Sequence, residues 1–113
     1  MIEILHNPRC SKSRAALSYL KESGWGVKEI LYLENPLNKE AIRDILNKLN
    51  IPAYDLVRKN EFVFKDAFKD KELTDEEWVE AMVKYPKLIE RPVIINGDRA
   101  VIGRPLEKVE EII

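Results

Sequence analysis

The chain has 113 residues, and its 19 lysine and arginine residues nearly balance its 20 aspartate and glutamate residues. Proteins that bind nucleic acid or membrane surfaces usually carry a strong basic excess, so this composition argues against both kinds of partner. One cysteine, Cys10, and one histidine, His6, cannot supply the four ligands of a structural zinc site, and a single cysteine forms no internal disulfide.

Length and hydropathy favour one cytoplasmic domain. The chain is long enough to bury one hydrophobic core, so we expect a single domain over residues 1–113. No apolar run reaches the roughly 20 residues that span a bilayer, and the first residues lack the basic and long apolar regions of a signal peptide. A single free cysteine suits a reducing compartment, and we therefore expect a cytoplasmic location.

The chain begins with the pattern of a β-α-β unit. The apolar residues 2–5 predict a strand, the Asn-Pro pair at residues 7–8 predicts a turn, and residues 15–20 have helical spacing. Gly24 is suited to end that helix, and residues 27–33 predict a second strand. Two strands joined by one helix over so few residues are expected to run parallel.

The middle of the chain, residues 38–86, has the pattern of a helical region. Asn38 is placed to cap the first of its helices, and Thr74 with Glu77 forms the capping-box pattern of the last. The charged residues 65–71 between them favour the solvated face of a further helix.

The last part of the chain changes to a β-β-α pattern. Residues 91–95 and 99–102 predict two strands around a tight-turn signal of the Asn-Gly type at residues 96–98, and therefore an antiparallel hairpin. Pro105 then stands at the first position of a predicted terminal helix. The element order, β-α-β, then helices, then β-β-α, predicts an α/β fold with a mixed sheet flanked by helices.

Cys10 falls at the junction between the first predicted strand and the first predicted helix. The free N–H groups and the positive dipole end of a helix both favour a thiolate, and Arg9, Lys12 and Arg14 add positive charge. Free cysteines are also often small buried residues of a core, which is the alternative interpretation. A turn and three cations make a poor core position, so we predict a reactive thiolate at a place that also suits an oxyanion.

Two of the seven arginines are placed to share an anion. Arg91 and Arg104 each precede a proline, and they lie at the two ends of the hairpin that fold back beside each other. Guanidinium groups fit a tetrahedral oxyanion because each donates in a bidentate fork. Spacing alone does not separate this interpretation from one in which both side chains point to water, and it assigns no role to Arg58.

Several segments together resemble glutaredoxin-linked arsenate reductases of the thioredoxin-like superfamily. The likeness begins with His-Asn-Pro-Arg-Cys-Ser-Lys-Ser-Arg at residues 6–14 and continues in order at residues 32–36, 56–60, 89–94 and 103–105. It covers essentially the whole chain, and it implies a thioredoxin- and glutaredoxin-like fold. In such a fold, the resemblance implies that the helices at about 38–86 are an insertion between the β-α-β and β-β-α halves.

The resemblance also implies a role for each residue of the site. Cys10 would be the nucleophile, and Arg58, Arg91 and Arg104 would bind the oxyanion. The other supporting positions would be His6, Asn7, Ser13 and Arg14. Pro92 would be the cis-proline beside the thiol, a geometry that only a minority of X-Pro bonds adopt.

The activity implied by the resemblance is reduction of arsenate to arsenite without a bound cofactor or metal. Glutathione would be the co-substrate and glutaredoxin the partner that regenerates the thiol of Cys10. A single cysteine fits this scheme, because the second thiol comes from outside. Thioredoxin-linked arsenate reductases need further cysteines in the chain, and redox-sensing regulators often carry one where Ser13 stands here. We expect the protein to act as a monomer.

Two alternatives to arsenate reduction stay open. Ser11 and Lys12 follow the cysteine where the best-known arsenate reductases of this type carry Gly-Thr, which keeps open a glutathione-dependent thiol oxidoreductase with another substrate. The other alternative is a non-catalytic regulatory module that binds a partner through the helical insertion and works without Cys10. Both enzymatic interpretations require the pKa of Cys10 to lie below that of a free thiol.

Overall fold

The computed structural model describes the whole sequence, Met1–Ile113. The chain divides into two compact units, one formed by Met1–Asn35 with Arg91–Ile113 and the other by Pro36–Glu90. None of its helices combines the length and the apolar character needed to cross a membrane.

The first unit contains a mixed four-stranded sheet. Its strands are β1 (Ile2–Leu5), β2 (Val27–Ile30), β3 (Val93–Asn96) and β4 (Arg99–Ile102), in the spatial order β2-β1-β3-β4. β1 and β2 run parallel, whereas β3 is antiparallel to both β1 and β4. The predicted parallel pair, the hairpin and the mixed sheet flanked by helices are confirmed.

Helix α1 (Ser11–Glu22) and a terminal 3₁₀ helix (Leu106–Glu111) pack together in the first unit. Ala16 and Leu20 of α1 lie one turn apart and are fully buried, because side chains at i and i+4 share one face of a helix. The core cluster comprises Ile2, Ile4, Ala16, Leu20, Ile94, Val109 and Ile112. This packing fixes α1, and with it the N-terminal end that carries Cys10, against the central strands.

Three predicted elements of this unit differ from the observed ones. The first hairpin strand, predicted over residues 91–95, is β3 (Val93–Asn96). The second strand was expected over residues 27–33 but ends at Ile30, because the N–H groups of Glu34 and Asn35 both donate to the Leu31 carbonyl and form a turn. The predicted terminal helix is the 3₁₀ helix described above.

Pro105 precedes this 3₁₀ helix as its N-cap, with an extended ψ of 169°, and does not occupy the first helical position as predicted. The N–H of Lys108 donates to the Pro105 carbonyl at 3.0 Å, which is the i to i+3 spacing of a 3₁₀ helix.

The hairpin turn lies within the turn predicted at residues 96–98. Asn96 still pairs with Arg99, so the two loop residues are Gly97 and Asp98. Gly97 has a φ of +65°, which glycine adopts without steric cost and which suits the first position of a two-residue hairpin loop.

The second unit is helical, as predicted for the middle of the chain. It contains α2 (Lys39–Leu49), α3 (Asp75–Lys84), two 3₁₀ helices (Ala53–Leu56 and Pro86–Leu88) and one π-helical turn (Phe64–Phe68). Trp78 of α3 is 2% exposed, and the rings of three other aromatic residues lie 5.4–6.1 Å from its centroid.

Both predicted helix caps are present in this unit. The Asn38 side chain accepts a hydrogen bond from the third residue of α2, and Thr74 and Glu77 form the reciprocal bonds of a capping box at the start of α3. The charged residues 65–71 are helical only within Phe64–Phe68, so the predicted helix face is one turn long.

Candidate active site

Cys10 is the N-cap residue of α1, at the end of the loop that leaves β1. Its own N–H donates to the Asn7 carbonyl at 2.9 Å, and its carbonyl accepts the first helical hydrogen bond from the N–H of Arg14. The Asn7 side chain accepts from the N–H of Arg9, and the guanidinium of Arg14 donates to the Pro8 carbonyl at 2.8 Å. These bonds hold the loop as a compact turn with the sulfur at the helix N-terminus.

The pKa of the Cys10 thiol lies below its ordinary value, which confirms the predicted direction. Burial alone would raise this pKa, but the backbone N–H of Ser13, the Arg91 guanidinium and the backbone N–H of Lys12 all lower it. Both N–H groups belong to the first turn of α1, where they have no acceptor within the helix and where the helix dipole also favours a negative charge. A lowered pKa increases the fraction of nucleophilic thiolate at neutral pH.

Arg104 and Arg91 meet beside this sulfur. The Arg104 Nε donates to the Arg91 carbonyl at 2.6 Å, and its Nη2 lies 3.5 Å from the Cys10 Sγ. The Arg91 Nε is buried and has no hydrogen-bond acceptor. A buried donor without a partner is unfavourable, so an anion that accepted from Arg91 would relieve that penalty.

The prolines that follow these two arginines have the same backbone geometry. The Arg91–Pro92 peptide bond is cis, as predicted from the resemblance. The Arg104–Pro105 bond is also cis, which the sequence analysis did not predict.

His6 and Ser13 form a buried pair beneath the loop. The His6 Nδ1 lies 2.6 Å from the Ser13 Oγ, which also accepts from the N–H of Asn7 at 3.0 Å. His6 is 4% exposed and Ser13 is fully buried, and burial lowers the pKa of the imidazole, so His6 is neutral at neutral pH. Since the Ser13 hydroxyl has no other acceptor, we assign its proton to Nδ1, which leaves the His6 proton on Nε2.

Arg58 lies in the second unit, two residues after the end of the short 3₁₀ helix at Leu56. Its Nη1 lies 3.3 Å from a Glu61 oxygen, and its Nε lies 4.0 Å from a Glu90 oxygen. The backbone N–H of Arg58 donates to the Leu88 carbonyl. Arg58 is therefore held between two carboxylates of its own unit.

A family model agrees with these features. The model of the ArsC family matches residues 5–112. The chain belongs to the ArsC family. The uncharacterized protein YfgD of Escherichia coli K12 is 44% identical to it over 114 residues, in an alignment that covers 99% of this chain and 96% of YfgD.

Other ArsC-family relatives carry the name of an enzyme. An arsenate reductase of Neisseria meningitidis serogroup B is 39% identical over 114 residues, which cover 99% of this chain and 97% of that protein. The solved structure of an arsenate reductase from Vibrio cholerae has a TM-score of 0.94 and 36% identity, and covers 99% of this chain and 97% of that chain. The ArsC thioredoxin-like fold is therefore confirmed.

The structure also identifies one positioning residue of this ArsC-family chain that the sequence analysis missed. A Cβ atom on Gly103 would lie 2.8 Å from the Ile94 Cδ1 and 3.2 Å from the Pro92 Cγ. The Gly103 N–H donates to the Pro92 carbonyl at 2.8 Å. Gly103 thus allows the end of β4, and Arg104 after it, to lie close to Pro92. A glycine directly before Arg104 was the available signal.

Proposed function

We propose that the protein is an arsenate reductase that uses Cys10 as its nucleophile and glutathione as its co-substrate. The observation that supports this most directly is the grouping of Cys10, Arg91 and Arg104, with the Arg104 Nη2 3.5 Å from the sulfur and the buried Arg91 Nε without an acceptor. Arsenate is a tetrahedral oxyanion, and guanidinium donors beside a thiolate suit its binding and its reaction.

In the proposed first step, the Cys10 thiolate attacks arsenic. An S–As bond forms, and an arsenate oxygen leaves as water after protonation. Arg91 and Arg104 hold the remaining negative charge on the oxygens. The inclusion of Arg58 as a third oxyanion ligand rests on the family resemblance. Because the Arg58 guanidinium is already paired with Glu61, arsenate bound by Arg58 would replace the Glu61 carboxylate.

In the second step, the thiolate of glutathione attacks the sulfur of the arsenylated Cys10. An S–S bond forms and the S–As bond breaks, with its electron pair passing to arsenic, so that As(V) becomes As(III) while the two thiols are oxidised to a disulfide. Glutaredoxin then exchanges its own thiol into this mixed disulfide and restores Cys10. We propose that the protein does this as a monomer in the cytoplasm, where glutathione is reduced.

His6, Asn7, Ser13, Arg14 and Pro92 are proposed to support this site. The supporting observation is the hydrogen-bonded loop itself. The Ser13 hydroxyl connects the neutral His6 to the backbone of Asn7, and the Arg14 guanidinium ties the helix start to the Pro8 carbonyl. These contacts keep the sulfur at the helix N-terminus.

The proposal is tested by single-turnover reaction of the purified protein with arsenate and glutathione. Arsenite release and the mass of Cys10 are followed together, with Cys10→Ser as the inactive control. We expect arsenite from the wild type alone, and a glutathione adduct on Cys10. Arsenite release by Cys10→Ser would refute the proposed nucleophile.

A set of arginine variants tests the anion site. Arg91→Lys and Arg104→Lys keep the charge but lose the bidentate fork, so the arsenate KM should rise, by about tenfold for each. Arg99→Lys is the matched control, because Arg99 lies in the same hairpin and donates to the Glu111 carbonyl. Equal KM values in all three variants would contradict the proposed site.

A glutathione-dependent thiol oxidoreductase is the second candidate. It is favoured by the partial exposure of Cys10 and its lowered pKa, which suit thiol exchange whatever the oxyanion. In the single-turnover experiment, a glutathione adduct that forms from a mixed disulfide while no arsenite appears would favour this candidate.

A further inference from the structure

Two cations next to Cys10 have exposed side chains without a partner. Arg9 immediately precedes the cysteine and Lys12 follows it by two positions, and both are exposed. Neither side chain makes a hydrogen bond or an ion pair. Arg14 is different, because its guanidinium is tied to the Pro8 carbonyl. We call the side chains of Arg9 and Lys12 the basic rim.

The basic rim is a local excess of positive charge in a nearly neutral chain. The chain has 19 basic and 20 acidic residues, but residues 6–14 contain three cations and no carboxylate. Arg91 and Arg104 bring two further guanidinium groups to the same sulfur. Like charges repel, so such a group of cations is most favourable when anions approach it.

The proposed reaction brings more than one anion to this place. Arsenylated Cys10 carries negative charge on its oxygens, and glutathione approaches it as a thiolate that also bears carboxylates. Arg91 and Arg104 are directed at the oxyanion and the sulfur, which leaves the charge of the incoming thiol uncompensated. The two residues of the basic rim are exposed and stand within two positions of Cys10 in the chain, so their charges are accessible to a thiol that approaches from solvent.

We propose that the basic rim is a specificity element that selects small thiols bearing carboxylates, of which glutathione is one. This inference rests on the proposed function for its biological role. The thiolate of such a compound attacks the Cys10 sulfur as described above, while its carboxylates lie against Arg9 and Lys12. Neutral and cationic thiols lack this attraction, so at equal thiolate concentration they react with Cys10 more slowly than thiols that bear carboxylates.

The selection can be measured without arsenate, by thiol–disulfide exchange. The Cys10 thiolate attacks one sulfur of a small disulfide, forms a mixed disulfide and releases the other sulfur as a thiolate. We would compare dithiobis(nitrobenzoate), which bears carboxylates, with the neutral dithiodipyridine. The ratio of the two rate constants within one variant does not depend on the fraction of Cys10 that is ionised. It therefore separates the effect of the rim from changes in pKa.

Charge reversal should lower this ratio. For Lys12→Glu and for Arg9→Glu we expect a decrease of about fivefold to tenfold at low ionic strength, the size expected when an exposed attraction becomes a repulsion. Lys12→Arg should restore the wild-type ratio. In about 1 M salt, where the Debye length falls to about 3 Å, the variants should approach the wild type.

Lys28→Glu is the matched control. Lys28 is also exposed and without an ion pair. It lies in β2, opposite Glu3 of β1 in the strand register, and does not flank the loop. Its ratio should stay within about twofold of the wild type. An unchanged ratio in both rim variants would overturn the inference, and so would an equal decrease in Lys28→Glu, which would indicate an effect of net charge alone.

The same variants separate this inference from the proposed function. If the wild type releases no arsenite but the exchange ratio depends on Lys12 and Arg9, the arsenate proposal fails and the selection of anionic thiols stands. If arsenite is released equally fast with glutathione and with the neutral dithiothreitol, in wild type and Lys12→Glu alike, the reductase proposal stands and the selection fails.

Discussion

Gly103→Ala tests whether close packing at the end of β4 is needed to position the site. The new Cβ would lie 2.8 Å from the Ile94 Cδ1 and 3.2 Å from the Pro92 Cγ. Both distances are shorter than an ordinary van der Waals contact. Ile94 is fully buried in the core cluster and Pro92 is a rigid ring, so neither can move without disturbing other contacts. Overpacking of this kind costs about 1–3 kcal/mol.

A second effect of the substitution acts on the unfolded chain. Replacing glycine by alanine restricts that chain and stabilises the folded state by about 0.4–1 kcal/mol when the native backbone conformation is allowed. Gly26→Ala serves as the control for this effect, because its Cβ would meet only the Met1 Cε at 3.9 Å, and Met1 is 86% exposed. The difference between the two variants isolates the packing penalty, which should be about 1–3 kcal/mol.

The assay is equilibrium unfolding in urea, followed by circular dichroism, with the slope of the transition checked for each variant. Gly103→Ala should also weaken arsenate binding, because Gly103 directly precedes Arg104 and its N–H bonds the Pro92 carbonyl. If the two alanine variants differ in free energy of unfolding by less than about 0.3 kcal/mol, the packing argument is wrong.

Three further outcomes are expected. Ser13→Ala should destabilise the protein by about 2 kcal/mol in urea unfolding, because it leaves the buried His6 imidazole and a backbone N–H without a partner. Ser18→Ala is the control, and it should change the free energy of unfolding little because Ser18 is exposed. Equal effects of the two variants would refute the role of the Ser13 hydroxyl. Arg91→Met should raise the pKa of Cys10, measured by the pH dependence of alkylation, because one stabilising donor is lost while the helix N–H groups remain; an unchanged profile would contradict that assignment. The pKa of Cys10 is lower in the folded than in the unfolded state, so its contribution to stability is present at high pH and is lost as the pH falls through the folded-state value. The free energy of unfolding of the wild type should therefore rise relative to that of Cys10→Ser as the pH is raised from the folded-state pKa of Cys10 towards the unfolded-state pKa of a thiol, and a constant difference would show that the pKa of Cys10 is not shifted.

Much of the fold follows from local patterns in the sequence. The β-α-β start, the hairpin and both helix caps depend on residues close together in the chain, and all four are present. The elements that differ depend on contacts that no short segment encodes. The second strand stops early because a turn forms at Leu31, and the terminal helix is wound as a 3₁₀ helix where it packs against α1.

Local patterns in the sequence predict some residues of the site and not others. Cys10, Arg91 and Arg104 were found from turn and hairpin patterns, because folding back of a hairpin brings its two ends together whatever the rest of the fold. The hydrogen bond between His6 and Ser13 was not predictable in this way, since it joins the residue after β1 to the first turn of α1 and depends on burial of both side chains. The packing role of Gly103 was not predicted, because a glycine before Arg104 does not show which side chains would lie against its missing Cβ.

At Cys10, lowering of the thiol pKa and the proposed binding of an oxyanion depend largely on different groups. The backbone N–H groups at the start of α1 lower the pKa of the thiol, and no side-chain substitution removes them. The Arg104 Nε is already occupied by the Arg91 carbonyl, so this guanidinium is fixed in direction and turns its Nη2 to the sulfur. The Arg91 Nε has no acceptor, so in the proposed reaction it can donate to an oxyanion. We therefore expect a chain that lost Arg91 to keep a partly activated thiol and to exchange disulfides, and to bind oxyanions poorly. The proposed arsenate reduction should accordingly be more sensitive to loss of the hairpin arginines than thiol–disulfide exchange.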